Sequence, residues 1–224
     1  MFERVVKLIG EENLKKIKSK KVMVVGLGGV GGYAVEGLIR SGIENIVVVD
    51  YDTIDISNLN RQIITTRNNI GKLKVDEVKK RILSINPNVT VEEVKIKLNE
   101  NNINILFEYK PDYIVDCCDT LAVKQELIKE CLKKNIKFIS SMGTGNKIKP
   151  TLLEVIDLSH TSYDPIAKRI RKYLRDNNIK GKVPVICSKE QMPKFDGNIP
   201  SMIFVPATAG LLGANYVIND ILSN

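Results

Sequence analysis

The stretch VMVVGLGGVG, Val22–Gly31, runs from an apolar, mostly β-branched segment into Gly26, Gly28, Gly29 and Gly31. That order describes a buried strand, a tight turn and a helix beginning near Gly29. Glycine serves such a turn twice: it accepts φ > 0, and it lets a ligand approach the main chain. Backbone N–H groups at the helix start, backed by the helix dipole, make a site for an anion. The next apolar segment, NIVVVD at Asn45–Asp50, ends in an acid. It lies about 20 residues beyond the turn, the spacing at which a nucleotide-binding βαβ unit holds ribose hydroxyls with a carboxylate. Strand, glycines, helix, strand and acid in register specify a nucleotide site.

Outward from this unit, strands and helices alternate. A short helical element, Arg4–Ile17, precedes it and breaks at Gly10. The helix after the turn extends to Ser41 and closes at Gly42, a suitable C-terminal cap. The polar run Ser57–Gln62 lies near the carboxyl end of the second strand, where open α/β sheets bind ligands. Gly71–Lys74 opens a helix that runs to Asn86 before Pro87. Lys74 therefore stands in a first turn, where the dipole disfavours a cation and a bound phosphate would reverse the penalty. Strands are expected at Val89–Ile96, Asp112–Asp116 and Lys137–Ser141, and helices at Asn99–Phe107 and Thr120–Lys134. The pattern predicts an α/β fold: a Rossmann-like, mostly parallel sheet with helices on both faces.

After Ser140–Asn146 the pattern changes. Leu152–Leu158 reads as a strand of an antiparallel C-terminal extension. Asp164-Pro165 is a helix start, with Asp as cap and Pro at the first position. That helix reaches Arg175, with Ile166, Ile170 and Leu174 on one face and Lys168, Arg171, Lys172 and Arg175 on the other. Val183–Ser188 is extended, Met192–Pro200 a loop, and Ala207–Ile221 a closing helix. The 224 residues make one domain, with a nucleotide-binding part at 1–145 and an extension at 146–224.

Lysine and arginine number 34 against 26 acids, a formal charge of +8. The excess suits a polyanion such as RNA without requiring one. With Arg169, Lys180 and Lys182, the basic helix concentrates that charge. Cys117, Cys118, Cys131 and Cys187 form no Cys-x-x-Cys pair, which argues against both a disulfide framework and zinc. The expected compartment is the reducing cytoplasm. Met1–Gly10 lacks the apolar core of a signal peptide. The apolar tail Ile203–Leu222 is interrupted by Pro206, Gly210, Gly213, Asn215, Asn219 and Asp220, so no stable membrane insertion is expected.

GLGGVGG (Gly26–Gly32), VVVDYD (Val47–Asp52), SNLNRQ (Ser57–Gln62), GKLK (Gly71–Lys74) and DCCD (Asp116–Asp119) follow in this order. Together they resemble the adenylating enzymes of the ubiquitin-activating superfamily, over roughly Arg4 to Gly145. The resemblance implies a homodimer that uses ATP and Mg2+ to turn a carboxylate into an acyl-adenylate. It implies that Gly26, Gly28, Gly29 and Gly31 meet the nucleotide and that Asp50 holds the ribose. Asp52 is left as a neighbouring acid or a turn residue. Arg61 and Lys74 would hold the triphosphate, Asn58 would help orient it, Gln62 would join the ATP site, Asp119 would bind the magnesium, and Arg4 would reach the partner subunit's ATP. These residue types suit that chemistry. A pyrophosphate leaving group needs fixed positive charge, and a hard magnesium ion needs carboxylate oxygen.

The carboxyl-terminal third separates branches of the superfamily. SMGTGNKIKPTLLEVIDLSHTSYDPIAKRIRKYLR at Ser141–Arg175, and Pro206–Gly210 leading into the last helix, resemble the tRNA threonylcarbamoyladenosine dehydratases. That resemblance implies ATP-dependent cyclisation of N6-threonylcarbamoyladenosine in tRNA, with tRNA held by Lys168, Arg169, Arg171, Lys172 and Arg175. The alternative is an adenylyltransferase acting on the C-terminal carboxylate of a sulfur-carrier or ubiquitin-like protein. A nicotinamide dehydrogenase would leave Arg61, Lys74 and Asp119 without a role, and their presence also argues against an inert RNA-binding scaffold. The nucleophile belongs to the substrate, so Cys187 is expected to be a bystander, Cys117 and Cys118 core residues, and His160 a loop residue. A monovalent cation in the Ser140–Asn146 loop and a sulfur-relay partner such as a cysteine desulfurase stay open.

Overall fold

The computed structural model describes residues 1–191, 197 and 199–223. The loop expected at Met192–Pro200 falls largely outside them. Two short helices, α1 (Glu3–Ile9) and α2 (Glu11–Ser19), meet at Gly10. They lead into β1 (Lys21–Val25), α3 (Gly31–Ser41), β2 (Asn45–Val49), α4 (Lys74–Ile85), β3 (Thr90–Val94) and β4 (Tyr113–Asp116). There follow α5 (Leu121–Lys134), β5 (Lys137–Ser141), β6 (Leu153–Asp157), α6 (Pro165–Asp176), β7 (Pro184–Ser188) and α7 (Phe204–Ser223).

The strands form one seven-stranded sheet in the order β3-β2-β1-β4-β5-β7-β6. All pairs are parallel except β6–β7. The extension therefore continues the same sheet: β7 joins β5 in parallel, and only the edge strand β6 runs the other way. The alternation inside each strand divides the apolar residues between two cores. Val22, Val24, Ile46 and Val48 face α2, α3, α4 and α7. Met23, Val25, Val47 and Val49 face α5 and α6. Gly42, at φ +114°, closes α3 as its spacing predicts.

One expected helix differs. Asn99–Phe107 does not form an α-helix; a 3-10 segment occupies Ile103–Tyr109. Asn99 and Asn102 hold each other's backbone N–H groups through their side chains. Such local bonds compete with helix initiation. Lys110, left-handed at φ +50°, and Pro111 then end the segment.

Strand order reverses between β1 and β4. This is the topological switch point at which doubly wound sheets leave a crevice beyond the carboxyl ends of the strands.

Candidate active site

A cavity of about 360 Å³ opens at this switch point, within the size range of small-molecule sites. Its floor is the turn after β1. Gly26 has φ +86°, and a Cβ there would lie 2.9 Å from the Cys117 carbonyl oxygen at the end of β4. A Cβ on Gly31 would lie 1.8 Å from the Gly26 carbonyl oxygen. Gly26 and Gly31 thus let the turn close tightly against β4, while Gly28 and Gly29 line the cavity beside it. Gly31→Ala is expected to destabilise the protein by about 3 kcal/mol or more, as overpacking against backbone cannot relax through a rotamer. Urea unfolding checks this; a midpoint equal to wild type would contradict it.

Asp50, at the carboxyl end of β2, holds the turn directly. One carboxylate oxygen accepts the Leu27 N–H at 2.7 Å and the other accepts the Asp52 N–H at 2.9 Å. Each oxygen keeps a further lone pair for a hydroxyl donor. Asp52 is not a mere turn residue. Its carboxylate receives Lys74 Nζ at 3.0 Å, and its carbonyl accepts the Lys74 backbone N–H. Lys74 is the first residue of α4 and is buried. The acid offsets the unfavourable dipole and holds the ammonium at the cavity wall.

The polar run after β2 folds as a 3-10 turn, Ile56–Asn58, capped by Asp55. Asn58 Oδ1 accepts the Asp55 N–H, so that side chain also fixes its own turn. Arg61 Nη1 donates to the Ser57 carbonyl and to Asn60 Oδ1, each at 2.8 Å. This orients the guanidinium along the cavity. Gln62 is buried in the wall, and its Oε1 has no hydrogen-bond partner among the described residues. A buried acceptor in that state suits a ligand that donates to it.

On the opposite side, the β4–α5 loop carries Cys117, Cys118 and Asp119. Asp119 is exposed and stands before the N-cap position, which Thr120 occupies, so it does not cap α5. Among the described residues no group of three His, Cys, Asp or Glu side chains is arranged to hold an ion. One carboxylate facing bound phosphates still fits magnesium, which draws the rest of its shell from phosphate oxygens and water. Tyr51 lies among these acids: the Asp52 carboxylate, then burial, Asp119 and Asp50 push its phenol above the usual value.

Beneath the loop, Asp116 and Lys124 form an ion pair at 2.7 Å, each side chain 1% exposed. Burial opposes the charge on Lys124, but the attraction of the Asp116 carboxylate prevails, so the pKa of Lys124 is raised.

Arg4 lies exposed on α1 and does not line this cavity. Lys168, Arg169, Lys172 and Arg175 are exposed on α6. Arg171 is not with them. Its guanidinium turns inward to the Leu158 and Thr161 carbonyls and the Thr161 hydroxyl, so it fixes the turn before α6.

The profile of the ThiF family matches residues 2–202 of the chain. The chain belongs to the ThiF family. It is similar to the tRNA threonylcarbamoyladenosine dehydratase of Bacillus subtilis (strain 168): 41% identical, over 100% of this chain and 95% of that protein. The Escherichia coli (strain K12) protein of the same name is 34% identical over 90% of this chain and 78% of its own length. The structure of E. coli tRNA N6-threonylcarbamoyladenosine dehydratase in complex with ATP superposes with a TM-score of 0.93 at 31% identity. That match covers 99% of this chain and 93% of the other.

For this ThiF chain, the sequence pattern missed part of the wall. Ile96 and Leu98 follow β3 and offer an apolar surface; Thr144 follows β5; Ser201 comes from the approach to α7 and Pro206 from its first turn. Their common signal is position just past the carboxyl ends of strands, apart from the α7 segment, which arrives from across the fold. Cys187 lies buried in β7, outside the cavity lining. Burial first, then the Asp164 carboxylate, pushes its thiol up to about 11. It is protonated at neutral pH and a poor nucleophile. His160 is exposed in a 3-10 turn outside the cavity lining.

Proposed function

We propose that this ThiF protein is an ATP-dependent tRNA threonylcarbamoyladenosine dehydratase. The observation that carries the reading is the convergence of Asp50, Arg61, Lys74 and Asp119 on one cavity, in a chain 41% identical along its whole length to a protein of that name. Full-length similarity to dehydratases favours this substrate over the C-terminus of a carrier protein.

In this reading the adenine lies against Ile96 and Leu98, and Asp50 receives the ribose hydroxyls. The triphosphate runs past Gly28 and Gly29 toward Arg61, Lys74 and Asn58. The threonyl carboxylate of the modified adenosine attacks the α-phosphorus, and pyrophosphate leaves. The ureido oxygen then attacks the activated carbonyl and the ureido group gives up a proton. AMP leaves and the oxazolone ring closes. Arg61 and Lys74 hold the departing charge, the preorganised electrostatics on which such transfers depend. Asp119 would hold the magnesium, which would supply further positive charge to the phosphate oxygens. Arg4 of a homodimer would serve the partner subunit's nucleotide. The four free thiols suit a reducing cytoplasm, and no helix among the described residues is long and apolar enough to cross a membrane.

The test is AMP formation with and without tRNA bearing the modification, followed by mass analysis of the nucleoside. ATP-dependent loss of one water is expected. AMP formation with a Gly-Gly-ended carrier protein and not with this tRNA would replace the reading by the adenylyltransferase.

Lys147 bonds both the Gly143 carbonyl and Asp164, which ties the α6 N-terminus to the loop that follows β5. Lys172→Ala with Arg175→Ala is expected to weaken tRNA binding. The slope of log K against log salt should become shallower by about 1.5, the loss of two phosphate contacts. A slope equal to wild type would make this a solvated face.

A further inference from the structure

The Asp116–Lys124 pair touches no part of the cavity that a ligand would occupy, yet it ties together everything around the Asp119 loop. Asp116 Oδ1, at the end of β4, accepts the Cys118 N–H at 3.1 Å and its thiol at 2.9 Å. Oδ2 accepts Lys124 Nζ at 2.7 Å and the Ser140 hydroxyl at 2.6 Å. Lys124 Nζ also donates to Ser140 Oγ at 3.2 Å. Lys124 stands in the first turn of α5, the helix that Asp119 precedes; Ser140 stands on β5. Both ends of the Cys117–Thr120 loop and the neighbouring strand are therefore pinned to a single carboxylate.

Stability alone does not account for this arrangement. A buried ion pair recovers little beyond its desolvation cost, and apolar residues of similar volume often do as well. What a charged, fully bonded network provides is a fixed geometry for the groups attached to it. We propose that Asp116, Lys124 and Ser140 are positioning residues that set the place of the Asp119 carboxylate for the metal bound with ATP. The proposal rests on the reading of Asp119 as the magnesium ligand.

The experiment is equilibrium binding of a non-hydrolysable ATP analogue, by calorimetry, across a MgCl2 series and in chelator. Two folded variants report on the network. Asp116→Val with Lys124→Met removes both buried charges together, and Ser140→Ala removes one hydroxyl while keeping the pair; thermal unfolding verifies each. For the paired variant the magnesium concentration needed for half-maximal tightening is expected to rise about 10-fold, the lower end of the effect of losing support behind a metal ligand, because the network reaches Asp119 through the loop backbone and not through its carboxylate. Affinity in chelator should stay at the wild-type value, which a general loosening of the cavity would not allow. Ser140→Ala should shift in the same direction and Ser140→Thr should restore the wild-type response. If the paired variant does not fold, the serine pair decides.

An unchanged magnesium response in the folded variants, with Asp119→Ala losing it, would overturn the positioning role. An unchanged response in Asp119→Ala would overturn the magnesium reading itself, and the proposal with it.

Discussion

Arg61→Ala should lower ATP–pyrophosphate exchange by about 10²- to 10³-fold, the loss typical when one preorganised charge-stabilising donor is removed. The side chain is already aimed in the free protein. One nitrogen is bonded to the Ser57 carbonyl and Asn60 Oδ1, so the remaining N–H donors can take phosphate oxygens in a fixed fork. Little orienting entropy is left to lose on binding. Arg61 is only partly buried and its bonds lie within its own turn, so the melting temperature should hold. Arg61→Lys should restore little, since a point charge cannot reproduce the fork. Exchange measured over a range of ATP concentrations locates the loss. A fall in kcat and kcat/KM together marks an interaction made in the transition state, whereas a rise in KM alone marks ground-state binding. Exchange near the wild-type rate would remove Arg61 from the site.

Lys124→Met should produce the largest loss of stability, about 3–5 kcal/mol, because it leaves the Asp116 carboxylate buried without its cation. In a chain of this size that corresponds to a fall in melting temperature of about 10 °C. Ser140 and the Cys118 N–H remain to bond the carboxylate, which keeps the cost from rising further. The paired variant with Asp116→Val should recover most of the loss, since no charge then remains to be solvated. Urea unfolding of both singles and the pair forms a double-mutant cycle. A cost below about 1 kcal/mol for Lys124→Met would show that water reaches the carboxylate and that the pair is not isolated.

Reading local order in the sequence worked where a local signal exists. The β1–turn–α3 unit follows from one apolar run and its glycines, and Asp164-Pro165 begins α6 with the Asp164 side chain on the Ala167 N–H. Such features depend on residues a few positions apart, so the sequence contains their whole cause. The 3-10 segment at Ile103–Tyr109 departs from expectation because asparagine side chains compete for backbone N–H groups, which apolar periodicity does not register.

Charge is where the sequence was least informative. Lys74 and Asp52, Arg171 and Thr161, and Lys124 with Asp116 and Ser140 acquire their roles from partners that only folding brings near. In sequence Lys124 is one more lysine on an amphipathic helix, and Arg171 one of a basic row. The sequence by itself determined the glycine-turn βαβ unit and, the Asn99–Phe107 segment apart, the order of strands and helices, because hydrophobic period and turn chemistry are properties of short segments. Only the tertiary structure decided that β7 lies parallel to β5, that α7 supplies part of the cavity wall, and which charges face solvent. Those outcomes turn on desolvation and hydrogen bonding between distant segments, and neither exists until the sheet has closed around them.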